Sequence, residues 1–242
     1  MFLTRFQINP QRRDARRLLT SPQAMHAAVL NGFPSRQDHA DGRVLWRLDR
    51  SGAHEVLLYI SSPTAPDLTH LMEQAGWPTI QTWQTRPYDK FLATLERGQH
   101  WAFRLTANPA RSGTKPRPDT TKEKPAEQPD PKAGADQSEG KNRSSQRFGH
   151  VTVSQQHDWL LQRAERNGFR VLLGTMDEPD VIIRERSTLN FQRNGSRVTI
   201  RQATYDGRLE VVDPDALRRV MMSGLGHGKA YGCGLLTVAP TE

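Results

Sequence analysis

Residues 224–234 have the sequence Gly-Leu-Gly-His-Gly-Lys-Ala-Tyr-Gly-Cys-Gly, and five of these eleven residues are glycine. A helical pattern that begins at Asp213-Pro214 precedes this glycine-rich stretch, and an apolar, strand-like run follows it from Leu235. The stretch therefore predicts a helix-to-strand connection, because glycine reaches backbone angles that other residues avoid. Successive backbone N–H groups in such a loop can form a concave anion site beside Lys229. The alternative is a tight turn that only packs the helix on a sheet.

The glycine-rich stretch does not match the common nucleotide-binding motifs. A Walker loop places Ser or Thr after Gly-Lys, whereas Ala230 follows Gly228-Lys229. The dinucleotide fingerprint leads from a strand into a helix, and the predicted order is the reverse here. A helix C-terminus also has the wrong dipole sign for an anion. Any affinity for phosphate must therefore come from Lys229 and the N–H groups of the loop.

The charge of the chain indicates an acidic partner, with nucleic acid first. The 242 residues carry a formal net charge of +8, and the sequence pI is about 10.0. Much of the positive charge is arginine, whose planar guanidinium binds phosphate better than lysine does. Residues 1–20 and 181–208 contain the two arginine clusters, which are Arg5, Arg12, Arg13, Arg16 and Arg17, and Arg184, Arg186, Arg193, Arg197, Arg201 and Arg208. The alternative is that these arginines are the solvated face of ordinary secondary structure.

Other classes of protein fit the composition poorly. No run approaches the roughly eighteen apolar residues of a membrane span, so we expect no membrane partner. The N-terminus carries a charge as early as Arg5, which is unlike a signal peptide. The single cysteine, Cys233, cannot form an internal disulfide, and we expect it to be a small packing residue in a reducing cytoplasm.

The predicted order of elements is the ferredoxin-like one, and it occurs twice. The first half predicts strand, helix, strand, strand, helix, strand, and its last strand is His100–Thr106. The second half begins with a strand predicted at Phe148–Val153 and includes two turns, at Asn194-Gly195 and Asp206-Gly207. We therefore expect an α+β fold of two tandem ferredoxin-like (βαββαβ, RRM-like) domains, the second with an added basic β-hairpin.

Residues 109–147 interrupt this order. They contain no Val, Ile, Leu, Met, Phe, Trp or Tyr and are rich in Pro, Lys, Glu, Asp and Ser. Such a segment buries too little apolar surface to offset the entropy of ordering it, which predicts that it is mostly disordered. The predicted division is an N-terminal domain at 1–108, a linker or long loop at 109–147 and a C-terminal domain at 148–242.

The histidines suggest chemistry that needs neither metal nor cofactor. None of the eight lies in an H-E-x-x-H motif or has a cysteine partner, and the acidic residues do not cluster. In RNA, a 2′-hydroxyl can attack the adjacent phosphate if a base removes its proton and an acid protonates the leaving oxygen. Histidine, with a pKa of about 6.5, suits either role. The candidates are His26, early on a helix that starts at Ser21-Pro22, and His227 in the glycine-rich stretch; either could instead be passive.

Several stretches resemble the CasE family, the CRISPR-associated endoribonucleases of type I-E systems. The C-terminal signature of that family is similar to residues 224–236 followed by Val-Ala-Pro. The resemblance covers nearly the whole chain apart from the linker, and its parts together are specific. The other matching stretches are Phe2-Leu3-Thr4-Arg5, Asn9-Pro10, Met25-His26, Trp46-Arg47-Leu48, Ala107-Asn108-Pro109, Asp206-Gly207-Arg208-Leu209 and Asp213-Pro214.

The resemblance implies a fold, an activity and partners. It implies two ferredoxin-like domains and metal-independent cleavage of precursor CRISPR RNA within the repeat, next to its stem-loop. Attack by a 2′-hydroxyl would leave a 5′-hydroxyl on one product and a 2′,3′-cyclic or 3′-phosphate on the other. The enzyme would then stay on the mature guide RNA as a subunit of the Cascade complex.

The resemblance also assigns roles to residues. The catalytic histidine of the family falls on His26, and Lys229 matches a basic position of its glycine loop. Some relatives carry a tyrosine where this chain has Gln23, which can position a phosphate oxygen but cannot titrate. The other candidate RNA contacts are Arg16, Arg17, Arg147, Arg193 and Arg197. The alternative function is a non-catalytic subunit that binds the RNA stem-loop and whose histidine is structural.

Overall fold

The structure, a computed structural model, describes residues 1–34, 42–52, 55–113, 146–193 and 195–241. The chain forms two compact units, one of residues 1–110 and 149–242 and a small one of residues 111–148. The strands are β1 (Phe2–Ile8), β2 (Leu45–Arg50), β3 (Val56–Ser62), β4 (Trp83–Pro87), β5 (His100–Ala107), β6 (Ala110–Gly113), β7 (Gln146–Gly149), β8 (Phe169–Val171), β9 (Val181–Arg193), β10 (Ser196–Val211) and β11 (Leu236–Ala239).

Six α-helices are present in the described residues. They are α1 (Arg13–Thr20), α2 (Pro22–Leu30), α3 (Thr69–Ala75), α4 (Asp89–Ala93), α5 (Val153–Ala164) and α6 (Pro214–Ser223). Two short 3-10 helices, Glu165–Asn167 and Lys229–Tyr231, follow α5 and α6. Within the described residues, no helix combines the length and the apolar character that crossing a membrane requires.

The first sheet has the ferredoxin-like strand order β2-β3-β1-β4, with every pair antiparallel. Alternate residues of β1 and β3, among them Phe6 and Leu58, point to one face and are fully buried. Helices α1, α2 and α3 cover that face and contribute Leu18, Met25 and Leu71 to the same core. This packing holds α2, the helix that carries His26, against the first sheet.

The second sheet repeats the order as β11-β5-β10-β8, with β9 added on β10. Helices α5 and α6 cover one face, and their Leu160 and Leu217 share a core with Tyr205 of β10. The two sheets confirm the predicted fold class of two ferredoxin-like domains. They also confirm the added hairpin, because β9 and β10 pair along nearly their whole length.

The sequence-based prediction is wrong for two strands. His100–Thr106, predicted to close the first sheet, lies in β5 and pairs with β10 and β11 of the second sheet. The first sheet is closed instead by β4, whose sequence Trp-Gln-Thr-Arg-Pro has little apolar alternation. Phe148–Val153 is also not a strand of the second sheet. β7 ends at Gly149, and α5 begins at Val153 behind a capping box of Thr152 and Gln155.

The linker prediction meets the structure only at its ends. Strands β6 and β7, at residues 110–113 and 146–149, form a two-stranded sheet at the two ends of the predicted linker. Residues 114–145 lie outside the described residues. Because β5 precedes the linker and is the first strand of the second sheet, the linker connects that strand to α5. The limits 1–108 and 148–242 stay a prediction.

One of the two predicted turns is confirmed. Arg193 pairs with Ser196 across the hairpin end, and Gly195 has a positive φ of 74°, although Asn194 lies outside the described residues. The turn at Asp206-Gly207 is wrong, because both residues pair with β5 inside the continuous β10. A side chain at Gly207 would place its Cβ 2.4 Å from the carbonyl oxygen of Asp180. The glycine is therefore required by the close approach of a neighbouring backbone.

A buried arginine links the two sheets. Arg47 of β2 is only 2% exposed and forms two hydrogen bonds with the carboxylate of Asp49, at 2.6 and 2.9 Å. Its Nη1 also donates to the carbonyl oxygens of Arg104 in β5 and Leu235 before β11. Arg104 in turn donates to Asp49 and Asp206. This network fixes the first sheet against the second, and thereby α2 against the glycine-rich stretch.

Candidate active site

His26 lies on the second turn of α2, and the start of that helix is locally encoded. Pro22 occupies the first helical position, and the Ser21 hydroxyl accepts a hydrogen bond from the N–H of Ala24 at 3.2 Å. Met25 is fully buried beneath the helix, so the adjacent His26 lies at the edge of the core and is half-buried. Its Nδ1 is buried and has no hydrogen-bond partner among the described residues.

The surroundings of His26 favour its neutral form. Burial lowers its pKa, and the positive charges of Arg43 and Arg193 lower it further. The imidazole is therefore neutral at neutral pH and has a free lone pair. A neutral imidazole of this kind can accept a proton from a substrate hydroxyl.

The end of the glycine-rich stretch brings Lys229 and Tyr231 to α2. Gly228 and Gly232, with φ of 81° and 79°, flank the short helix that holds both residues. The Tyr231 ring lies 6.5 Å from the His26 ring, centroid to centroid. Burial and the charge of Arg43 lower the pKa of Lys229. Arg43 thus acts on both His26 and Lys229, and its backbone N–H is held by the carbonyl of Met222 at the end of α6.

The glycine-rich stretch packs α6 onto the sheets, as the simpler interpretation expected. A Cβ at Gly224 would lie 2.8 Å from Leu45, and one at Gly232 would lie 2.8 Å from Trp46. The N–H groups of Leu225 and Gly234 donate to backbone carbonyls at 2.9 and 2.7 Å, so they are occupied inside the protein. An anion site formed by the remaining N–H groups of the loop stays a prediction.

The tip of the β9–β10 hairpin docks on these two elements. The Gln23 amide donates to the carbonyl oxygen of Gln192 at 2.9 Å. Arg193 donates to the Tyr231 hydroxyl at 3.3 Å, and the Phe191 ring lies 4.7 Å from the Tyr231 ring. Gln23 therefore contacts the hairpin backbone through its amide N–H group, and its role as a neighbour of an active site stays a prediction.

The two hairpin arginines predicted as RNA contacts lie on opposite faces. Side chains alternate along a strand, so Arg193 shares a face with Phe191 and points toward Tyr231. Arg197 pairs with Gln192 and is exposed on the other face. Neither arginine forms a salt bridge within the described residues. Three other members of the cluster are engaged inside the protein: Arg184 with Asp206, Arg186 with the carbonyl of Val151, and Arg208 with Asp180.

The N-terminal arginines are divided in the same way. Arg12 donates to the carbonyl oxygens of Met72, Glu73 and Gly76 and so caps the end of α3. Arg16 and Arg17 are exposed on α1. Arg147 belongs to β7, and its side chain lies outside the described residues. His227 is exposed, and its backbone forms an isolated bridge with Asn108.

Two side chains at the site had no clear signal in the sequence. Arg43 lies in a stretch of mixed charge, between Asp41 and Arg47, where it is not distinguished from its neighbours. Tyr231 has the appearance of one more packing residue of the glycine-rich stretch. The described residues contain no group of three or more His, Cys, Asp or Glu side chains that could hold a metal ion. Cys233 is fully buried, and burial raises its pKa to about 12. The thiol is therefore protonated and acts as a small packing residue, as predicted.

Comparisons with known proteins identify relatives over nearly the full length of the chain. The chain is 30% identical to the CRISPR-associated endoribonuclease Cse3 of Thermus thermophilus over an alignment of 246 residues. The alignment covers 99% of this chain and all of the relative. A structure of CRISPR endoribonuclease Cse3 bound to a 19-nucleotide RNA matches 99% of this chain and all of that one, with 31% identity and a TM-score of 0.74. The CRISPR-associated protein Cas6e of Escherichia coli K-12 shares the fold over the full length of both chains, with a TM-score of 0.63 and 21% identity. The family model of CRISPR associated proteins matches residues 1–240, and this chain therefore belongs to that family.

Proposed function

We propose that this chain is a metal-independent endoribonuclease that cleaves precursor CRISPR RNA within the repeat, next to its stem-loop. One observation carries the proposal. His26, with a lowered pKa, lies near the cationic side chains of Arg43 and Arg193, and Arg43 in turn lies near Lys229. The positive charges of such a site attract a phosphate, and the neutral imidazole can accept a proton from the adjacent 2′-hydroxyl. The Thermus relative, 30% identical over its full length, carries the name of an endoribonuclease.

The reaction that suits these groups is an internal transfer at phosphorus. His26 accepts the proton of a 2′-hydroxyl, whose oxygen then forms a bond to the adjacent phosphorus. Arg43 and Lys229 stabilise the negative charge that builds on the phosphoryl oxygens. The bond to the 5′ oxygen breaks, and that oxygen takes up a proton from the site or from water. The products carry a 2′,3′-cyclic phosphate, which can open to a 3′-phosphate, and a 5′-hydroxyl.

Binding of the RNA is assigned to the arginines around this site. The stem is expected to contact Arg193 and Arg197 of the hairpin and Lys229 of the loop, with Arg16, Arg17 and Arg147 as further contacts. Distorted stem ends and phosphates are what proteins recognise in A-form RNA. We also infer that the chain stays on the mature guide RNA beside other Cascade subunits, in the cytoplasm.

Cleavage of the cognate repeat RNA in excess EDTA tests the function directly. We expect full cleavage, with a 5′-hydroxyl on the downstream product that polynucleotide kinase labels without prior phosphatase treatment. The RNA is folded in monovalent salt beforehand, so that loss of magnesium does not unfold the stem. Loss of cleavage in EDTA that magnesium restores would contradict the metal-independent mechanism. Tight binding without cleavage under either condition would favour the non-catalytic subunit.

The salt dependence of binding tests the hairpin contacts. Arg193→Ala and Arg197→Ala, made separately because they lie on opposite faces, are each expected to weaken binding. Each should also reduce the slope of log K against log salt by about 1, since one fewer counterion is released. Arg184→Ala is the control, because it removes the same charge from an arginine already paired with Asp206. If the affinity and slope of a variant equal those of the control, that arginine belongs to the solvated face.

The pH dependence of cleavage tests the role of His26 as a base. Cleavage should fall on the acid side as the imidazole becomes protonated, at a pH below the ordinary pKa of histidine. Arg43→Gln removes a positive charge that disfavours the imidazolium, so the pKa of His26 rises. The acid limb of kcat/KM should therefore move to higher pH. Arg16→Gln, a change on the exposed face of α1, should leave it in place. An unmoved limb in Arg43→Gln would mean that another group controls it.

A further inference from the structure

A cleft of about 320 Å³ opens beside His26, between α1 and α2 on one side and the β9–β10 hairpin on the other. Its walls include Leu18 and Met25 of the helices, Trp46 of β2, Leu189 of β9 and Tyr231 of the short 3-10 helix. Met25 precedes His26 in the chain, and the Tyr231 ring is 6.5 Å from the His26 ring. The cleft therefore adjoins the proposed position of the reacting phosphate.

The cleft is lined by apolar and polar side chains in similar measure. Its polar lining includes Thr106, Gln202 and Thr204, and also Arg50 and Glu185, which are both exposed. Neither Arg50 nor Glu185 forms a salt bridge within the described residues. Apolar and aromatic side chains beside groups that can hydrogen-bond suit a planar, polar-edged ligand.

The proposed chemistry requires a place for such a ligand. Attack of a 2′-hydroxyl on its own 3′ phosphate needs the attacking and leaving oxygens in line with phosphorus. A stacked A-form strand does not hold them in line, so one nucleotide at the cut must rotate out of the stack. An unstacked base loses stacking energy, and proteins that act on such nucleotides receive the base in a pocket of apolar and aromatic side chains.

We propose that this cleft binds the base of one nucleotide that flanks the cleaved phosphodiester. The inference rests on the proposed function, because it identifies a base subsite of the same active site. The apolar and aromatic walls contact the faces of the base, and Glu185 and Arg50 face its polar edge. The cleft thereby holds the sugar so that its 2′-hydroxyl is aligned with His26.

Abasic RNA tests the proposal with the unmodified protein. Two repeat RNAs are made, each lacking the base at one of the two nucleotides that flank the cut, and a third lacks a base in the loop of the stem-loop as control. One of the first two should be cleaved more slowly under single-turnover conditions, on the order of tenfold, with binding of the stem-loop changed less than about twofold. Cleavage of both at the normal rate overturns the proposal. No cleavage of the unmodified repeat would overturn the proposed function instead.

A variant protein shows whether the base lies in this cleft. Leu189→Trp fills the cleft from β9, and Asn190→Trp, on the exposed opposite face of the same strand, is the matched control. Leu189→Trp should slow cleavage of the unmodified RNA on the order of tenfold and hardly slow the sensitive abasic RNA further, because both changes remove one interaction. If Leu189→Trp slows the abasic RNA by the same factor as the unmodified RNA, the base lies elsewhere and the proposal is overturned. If thermal melting shows Leu189→Trp to be unfolded, Leu189→Phe replaces it with the same expected pattern.

Discussion

Replacing His26 by alanine is expected to slow single-turnover cleavage of the repeat RNA by about 10²–10⁴-fold, the usual loss when one positioned proton-transfer group is removed. Binding of the stem-loop should change little, because it depends on several arginine contacts at the hairpin. The fold should also survive, since alanine favours a helix and the residues of α2 that anchor the core, Met25 and Val29, are untouched.

The control for this change is His100→Ala. His100 is exposed at the start of β5, outside the proposed site, so its loss should leave both cleavage and binding nearly unchanged. Both quantities are measured on the same RNA, with thermal melting to check that each variant is folded. Near-normal cleavage by His26→Ala would remove His26 from the mechanism. A parallel loss of binding and cleavage would make it a structural residue.

Replacing Asp49 by leucine is expected to lower the free energy of unfolding by about 3–5 kcal/mol, which is the usual cost of leaving a buried charge without its partner. Arg47 is 2% exposed, and its guanidinium donates two hydrogen bonds to the Asp49 carboxylate. In the variant its charge would face the carbonyl dipoles of Arg104 and Leu235 and the ring of Tyr59. The loss is a large fraction of the total stability of most domains, which is about 5–15 kcal/mol.

Urea denaturation followed by circular dichroism measures this loss. Glu210→Leu is a matched control on β10, because Glu210 forms a solvent-exposed ion pair with Arg170, whose side chain is 58% exposed. Such a pair contributes about 0–1 kcal/mol. Arg47→Met should destabilise less than Asp49→Leu, since Asp49 keeps a hydrogen bond from Arg104. Equal and small losses for Asp49→Leu and Glu210→Leu would show that the network does not stabilise the junction of the sheets.

Local signals in the sequence determined most of the secondary structure. Ser21-Pro22 and Asp213-Pro214 predicted the starts of α2 and α6, and the structure places capping side chains at both. The Asn194-Gly195 pair predicted the hairpin that joins β9 and β10. These predictions succeed because capping and tight turns depend on a few neighbouring residues and on the backbone angles that each of them permits.

Only the tertiary structure decided which strands belong together. The alternation of β5 fits a half-buried strand in either sheet, and nothing within His100–Ala107 specifies its partners. Gly207 has the same sequence signature as a turn glycine, yet it is required by the close approach of the backbone of Asp180, the residue just before β9. Pairing of this kind depends on residues distant in the chain, so a local pattern cannot encode it.

The same distinction applies to the candidate site. Local features of the sequence left both His26 and His227 as candidates, and it was the resemblance to the CasE family that selected His26 and Lys229. Arg43 and Tyr231 come near His26 only in the folded chain, because the short 3-10 helix packs against α2 and the end of α6 holds the backbone of Arg43. The lowered pKa of His26 is likewise a tertiary property, because burial and the charges of residues far along the chain produce it. Residue type therefore determined which groups can transfer a proton. Packing decided the environment of His26, and that environment sets its pKa.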